Sequence, residues 1–283
     1  MADVCDHCGH SVALNEAVCP VCGKSAGFPN VKEAEQVAET VALDQRYDQA
    51  VRDAQARSAG GIAGAFESVL INSYAVFNAD PEFVDSFLTN SKTLYASYGL
   101  QVRSQVRRVA ALQDDKARHS VEGAFFGSYA EEIRYAALSL GGPGVISYGA
   151  LAVRLQENAI AHRATLLEQN TYHFCKQHDL RLLQPIPCGF RATWANRAKL
   201  AVTKLANRLT ATTLAQQFPA LLLHSVGDRA TDEFIEVHIY GRLNESSVVE
   251  VSGSTPSKRS RNGSLISKIK DMLNKTGRKW LEV

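Results

Sequence analysis

Cys5-Asp-His-Cys8 and Cys19-Pro-Val-Cys22 form two C-x2-C pairs ten residues apart, each followed directly by a glycine, Gly9 and Gly23. No other feature of the chain constrains its folding as tightly. A C-x2-C pair turns two thiolates toward one point, and glycine admits the positive φ that such a knuckle needs. Four thiolates complete a tetrahedral shell around Zn²⁺ and leave no position for water, so the expected site is structural and supplies most of the folding energy of so short a module. Residues 1–28 are therefore read as a zinc ribbon or knuckle with Cys5, Cys8, Cys19 and Cys22 as ligands, His7 and His10 being the alternative donors. Lys24 is nearly alone as a positive charge there, which favours protein docking or capping over an autonomous DNA-binding finger. Six cysteines in 283 residues are too few for a disulfide scaffold. Cys175 and Cys188 read as ordinary thiols.

The remainder has the apolar content of a folded globular chain, 45% hydrophobic with 21% charged, and a length that suits one large domain with a small appendage. Its 31 basic and 29 acidic residues nearly cancel, so any nucleic-acid footprint must be local. Residues 31–94 are read as a helical segment. Val31 to Ser58 carries six acidic and four basic residues on a polar helix, Ile62 to Asn78 shows core-like helical spacing through Phe66, Leu70, Tyr74 and Phe77, and Glu82 to Leu88 is a third helix. From about residue 123 glycine turns and β-branched runs indicate strands, among them Tyr148 to Leu155 and Phe234 to Tyr240. Gly141-Gly-Pro-Gly144 lacks the Lys-Ser/Thr of a phosphate loop and is read as a turn. Residues 154–207 have an excess of Lys and Arg. Residues 252–283 hold eight basic and two acidic residues and are read as a flexible linker followed by a basic helix striped with Leu265, Ile266, Ile269, Met272 and Leu273. The longest apolar runs fall far short of the ~20 residues of a membrane span. With no secretory signal pattern at Met1, a cytoplasmic location is expected.

One succession of motifs carries a resemblance: Phe126-Gly-Ser-Tyr129, Ile133-Arg-Tyr-Ala-Ala-Leu-Ser139, Tyr148-Gly with Val153-Arg-Leu155, His162-Arg-Ala-Thr165 with Glu168-Gln-Asn-Thr171, and Phe234-Ile-Glu-Val-His-Ile-Tyr-Gly241. Their order across residues 95–251 resembles bacterial ADP-ribosyltransferase-like toxin domains. The zinc knuckle, acidic helix and core together also resemble an uncharacterised bacterial family, which brings no activity with it. The resemblance implies an α+β chain: a zinc knuckle, a helical front, and a split β-sandwich core with helical insertions that binds NAD in a cleft. It further implies an arginine from an early strand that anchors the dinucleotide phosphates and a glutamate from a late strand beside the ribose. Glu236 takes the second role. Arg103 is the choice for the anchor, with Arg134 and Arg163 as competitors, and Tyr148, Arg163 and Asn170 are further NAD-pocket candidates.

Two departures from that pattern stand in the sequence. Arginine-modifying members carry Glu-x-Glu where this chain has Glu236-Val-His238, and no Ser-Thr-Ser strand is present, leaving Ser139, Ser147 or Thr165 to stand in. The expected function is mono-ADP-ribosyl transfer from NAD to a protein or nucleic acid, of toxin or defence type, with a neutralising antitoxin as a candidate partner. The alternative is a non-enzymatic zinc-ribbon module that engages nucleic acid or protein through a degenerate transferase fold.

Overall fold

A computed structural model describes residues 3–5, 7–13, 16, 18–25, 27–90, 95, 113–180, 184–257 and 260–283. A two-stranded ribbon, β1 (Asp3–Val4) with β2 (Ser11–Val12), belongs to the cysteine module. The main sheet holds β3 (Tyr74–Ala79), β4 (Ile133–Ser139), β5 (Leu151–Leu155), β6 (Ala164–Leu167), β7 (Arg191–Thr193), β8 (Glu236–Tyr240), β9 (Val248–Gly253) and β10 (Lys279–Glu282). Their order across the sheet is β10-β9-β5-β3-β4-β8-β6-β7, antiparallel throughout except for the parallel pair β9 and β10. The mixed α and β content agrees with the expected class. β3 pairs with β4 on one side and β5 on the other, so hydrogen bonds run continuously through one eight-stranded sheet.

Successive residues of a strand face opposite sides, and here the two sides differ in chemistry. Phe77, Leu138, Val153, Leu166, Val237 and Ile239 point into the main core. They meet the apolar faces of α2 (Val37–Ala56), α3 (Gly60–Leu70), α4 (Pro81–Thr89), α8 (Arg197–Leu205), α9 (Phe218–Leu222) and α10 (Arg261–Lys275). The opposite side carries Thr165, Glu236, His238, Ser139, Arg154 and Glu250. Over part of it lie α5 (Gln113–Phe126) and α7 (Thr171–Gln177), through Phe125, Phe126, Phe174 and Cys175. The short helices α1 (Pro29–Ala34) and α6 (Glu157–Ile160) complete the α-helices among the described residues. Among the described residues no helix is long and apolar enough to cross a membrane.

Several expectations are corrected. The helix read over Val31 to Ser58 is two, α1 and α2, parted at Glu35-Gln36. The helix read over Ile62 to Asn78 ends at Leu70, and Tyr74–Ala79 is a central strand. Its residues satisfied both periods: Phe66, Leu70 and Phe77 fall on a helical stripe, while Ala75, Phe77 and Ala79 alternate with Tyr74, Val76 and Asn78. Two strand partners decide for the second. The basic end is docked, since Ile266, Ile269 and Leu273 are buried in the main core and Lys279–Glu282 adds a strand to the sheet.

Candidate functional site

The cysteine module is built as two repeated knuckles. Gly9 N donates to Cys5 O (2.7 Å) and Gly23 N to Cys19 O (2.9 Å), with φ of 70° and 69° at the two glycines, a conformation a side chain would oppose. The four sulfurs lie within 4.8 Å of one another, and Cys5–Cys22 and Cys8–Cys19 are each 3.6 Å apart. A tetrahedron with Zn–S bonds of ~2.3 Å has S···S edges of about 3.8 Å, so the spacing fits such an ion. The titration fits too. Backbone N–H groups of Cys22 and Val21 bring the Cys19 thiol down to about 6, whereas Cys8, against a backbone bond from His10, is pushed up to about 12 by burial and by the neighbouring sulfurs. Four sulfurs this close cannot all ionise without a cation among them. The group could therefore hold a metal such as zinc.

The second site is a cavity of about 330 Å³ on the polar side of the sheet. Its lining includes Glu122 and Val121 of α5, Tyr135 of β4, Tyr148, Asn170 to His173, Asp228 to Ala230, and Glu236. Glu236 opens β8 and pairs across the sheet with Ala137 on one side and Leu167 on the other. Small Ala137 leaves room beside the carboxylate. Glu236 Oε2 accepts from Thr171 N (2.8 Å), from the Thr171 hydroxyl and from His238 Nε2 (3.0 Å), while Oε1 accepts only from Asn170 Nδ2 (3.0 Å) among the described residues. Burial works to raise the Glu236 pKa, but the hydrogen bonds from His238 and Thr171 outweigh it and hold the carboxyl below its ordinary range. The group is an anion with one oxygen saturated and the other holding a spare lone-pair position.

His238 Nε2 also lies 2.9 Å from Thr171 Oγ1. Hydroxyl and carboxylate thus meet the same ring nitrogen, so the trio is no nucleophile–base–orienter relay, which needs them on opposite nitrogens. Asn170 does two jobs: its Oδ1 caps α7 by accepting from Tyr172 N (3.0 Å) and its Nδ2 holds Glu236. At the rim, the Arg229 guanidinium sits 4.7 Å over the Tyr148 ring, and Ser147 bonds Asp232 to tie the two rim loops together.

No family model matches this chain. No curated protein matches it either.

Of the residues singled out from sequence, Glu236, Asn170 and Tyr148 share this cavity. Arg163 does not belong to it. That side chain is 4% exposed and donates to the carbonyls of Ala159 (2.9 Å), Tyr240 and Arg242 at the far end of β8, and burial, with nearby Arg134, lowers its pKa to about 10. Its competitor Arg134 is spent on the carbonyls of Tyr95, Glu131 and Ile133. Arg103 lies outside the described residues. Sequence reasoning missed Thr171 as a carboxylate partner and Arg229 as the cation of the cavity. The Gly227-Asp-Arg turn, with φ of 87° at Gly227, is a signal that could have pointed to Arg229.

Proposed function

We propose that this chain is a mono-ADP-ribosyltransferase that uses NAD to modify a protein or nucleic acid, as a toxin or defence protein. One observation carries the reading: the carboxylate, amide and aromatic ring chosen for an NAD site, Glu236, Asn170 and Tyr148, are 88 positions apart at the extremes and line a single cavity with an ionised carboxylate. In the reaction the bond between the ribose C1′ and the nicotinamide nitrogen breaks, and nicotinamide leaves with the electron pair. Glu236 Oε1 faces the positive charge that develops on the sugar and accepts from a ribose hydroxyl. Arg229 meets the pyrophosphate, and Tyr148 offers its face to the nicotinamide ring. The acceptor attacks C1′ and its proton passes to the carboxylate or to water. The cysteine module, with zinc in its four-thiolate shell, has a structural part in this reading.

Incubation of the full chain with adenine-labelled NAD and cell lysate tests the proposal. Label should pass to macromolecules, and Glu236→Gln should lower transfer at least about a hundredfold, as expected for loss of a charge that acts in the transition state. Absence of both transfer and NAD binding overturns it. The rival reading, an interaction module with a non-catalytic core, is favoured by the three donors on Oε2, which is how a structural carboxylate is held; it predicts that Glu236→Gln changes stability and nothing else.

A further inference from the structure

We infer that His238 is the positioning residue of the cavity carboxylate, fixing which oxygen of Glu236 a ligand meets. His238 stands two residues after Glu236 on the same side of β8 and is 1% exposed, so it touches no ligand itself. Its ring is packed edge-on among Phe126 (4.8 Å), Tyr135 (5.6 Å) and Phe125 (5.7 Å). Those rings set the imidazole plane and aim Nε2 at Glu236 Oε2, 3.0 Å away. An Nε2–H there completes three donors on Oε2 and opposes rotation of the carboxylate, so that Oε1, which takes Asn170 Nδ2 alone among the described residues, is the oxygen with room for a further donor. The resulting geometry separates two jobs within the sequence Glu-Val-His: the glutamate meets the ligand, and the histidine holds the glutamate.

Among the described residues, the charged and titratable groups around this pair are Glu122 of α5, Tyr135 of β4, Tyr148 at the rim, Tyr172, His173 and Cys175 of α7, and Asp228 and Arg229 of the rim loop. The described hydrogen bonds to Glu236 come from His238, Thr171 and Asn170, and of these three His238 alone carries a titratable ring. Removal of His238 should therefore be felt at Glu236 more than any change in the rim charges.

The test is the carboxyl ¹³C titration of Glu236 in the full, metal-loaded chain, assigned by the signal that Glu236→Gln removes. Phe and Met both suit the aromatic surroundings, so His238→Phe and His238→Met keep the packing while deleting the donor. Each should move the Glu236 midpoint upward by about one pH unit or more, as a buried carboxylate does when a donor is lost. His238→Gln, which can still present an N–H, should return most of that shift. Where transfer is measured, the apolar variants should lose about tenfold in kcat with KM nearly unchanged, the fold-change that matches loss of a hydrogen bond to a charged group. The kinetic part rests on the transferase reading and the titration does not, so the two can fail separately. A Glu236 midpoint unchanged in both apolar variants, or a Gln variant no nearer to the parent than they are, overturns the assignment.

Discussion

Arg163 and Asn170 carry the same sequence-level description, polar side chains next to the end of a strand, yet their surroundings employ them differently. Asn170 has its amide on Glu236, while Arg163 is surrounded by three carbonyls and is not among the residues that line the Glu236 cavity. Arg163→Met should therefore cost about 3 kcal/mol or more in urea denaturation, because it leaves buried carbonyls unpaired, and should leave NAD affinity of the folded protein unchanged. Lys204 provides a second check at this scale. Its ammonium donates to Phe234 O (2.9 Å), but burial brings its pKa from 10.5 down to about 8. Between those values the unfolded chain holds the proton and the folded chain does not, so stability rises with pH from about 8 to 10.5. Lys204→Met should abolish that rise and be the more stable protein at pH 7, as followed by thermal melts across the pH range. Neither burial was legible in the sequence, because nothing local marks which arginine or lysine will be covered.

At the scale of elements, the run from Ile62 to Asn78 shows why part of the fold escaped. An apolar run of this length fits either period, and what made Tyr74–Ala79 a strand was the availability of β4 and β5 on its two sides, a non-local fact. β8 was legible, since Val237 and Ile239 alternate with Glu236 and His238 and place the two polar groups on one side before any partner is known. The turn that precedes β5 is tightly constrained as well. Gly149 has φ of 153°, and a Cβ there would lie 2.2 Å from the carbonyl carbon of Ala79, the last residue of β3. Gly149→Ala should lower stability by about 3 kcal/mol, seen as a fall in Tm, with a further loss of NAD binding because the same turn carries Tyr148.

For the whole molecule, near-neutral charge conceals an organisation in which the front of the chain is fastened to the polar side of the sheet, beside β8. Phe28 packs on His162 and Tyr240 at ring distances of 5.6 and 5.5 Å. Asn30 Nδ2 reaches Arg163 O (3.0 Å), His238 O (3.2 Å) and Thr165 Oγ1 (3.3 Å). The C-x2-C spacing disclosed which four cysteines the fold gathers into a group that could hold a metal, but not that the module would sit beside β8. Chelation, or Cys5→Ser, should unfold the module and release one equivalent of zinc from the full chain, measured with a chromogenic chelator. Asn30→Ala should keep the metal yet speed amide exchange in β6 and β8. We propose that the cavity around Glu236 binds NAD, and calorimetric titration of NAD into the full chain and into its Glu236→Gln and Arg229→Ala variants is the direct test. One site per chain is expected, weakened about tenfold or more by loss of the Arg229 charge. Failure of NAD to bind the parent protein, or binding that neither substitution alters, would contradict it.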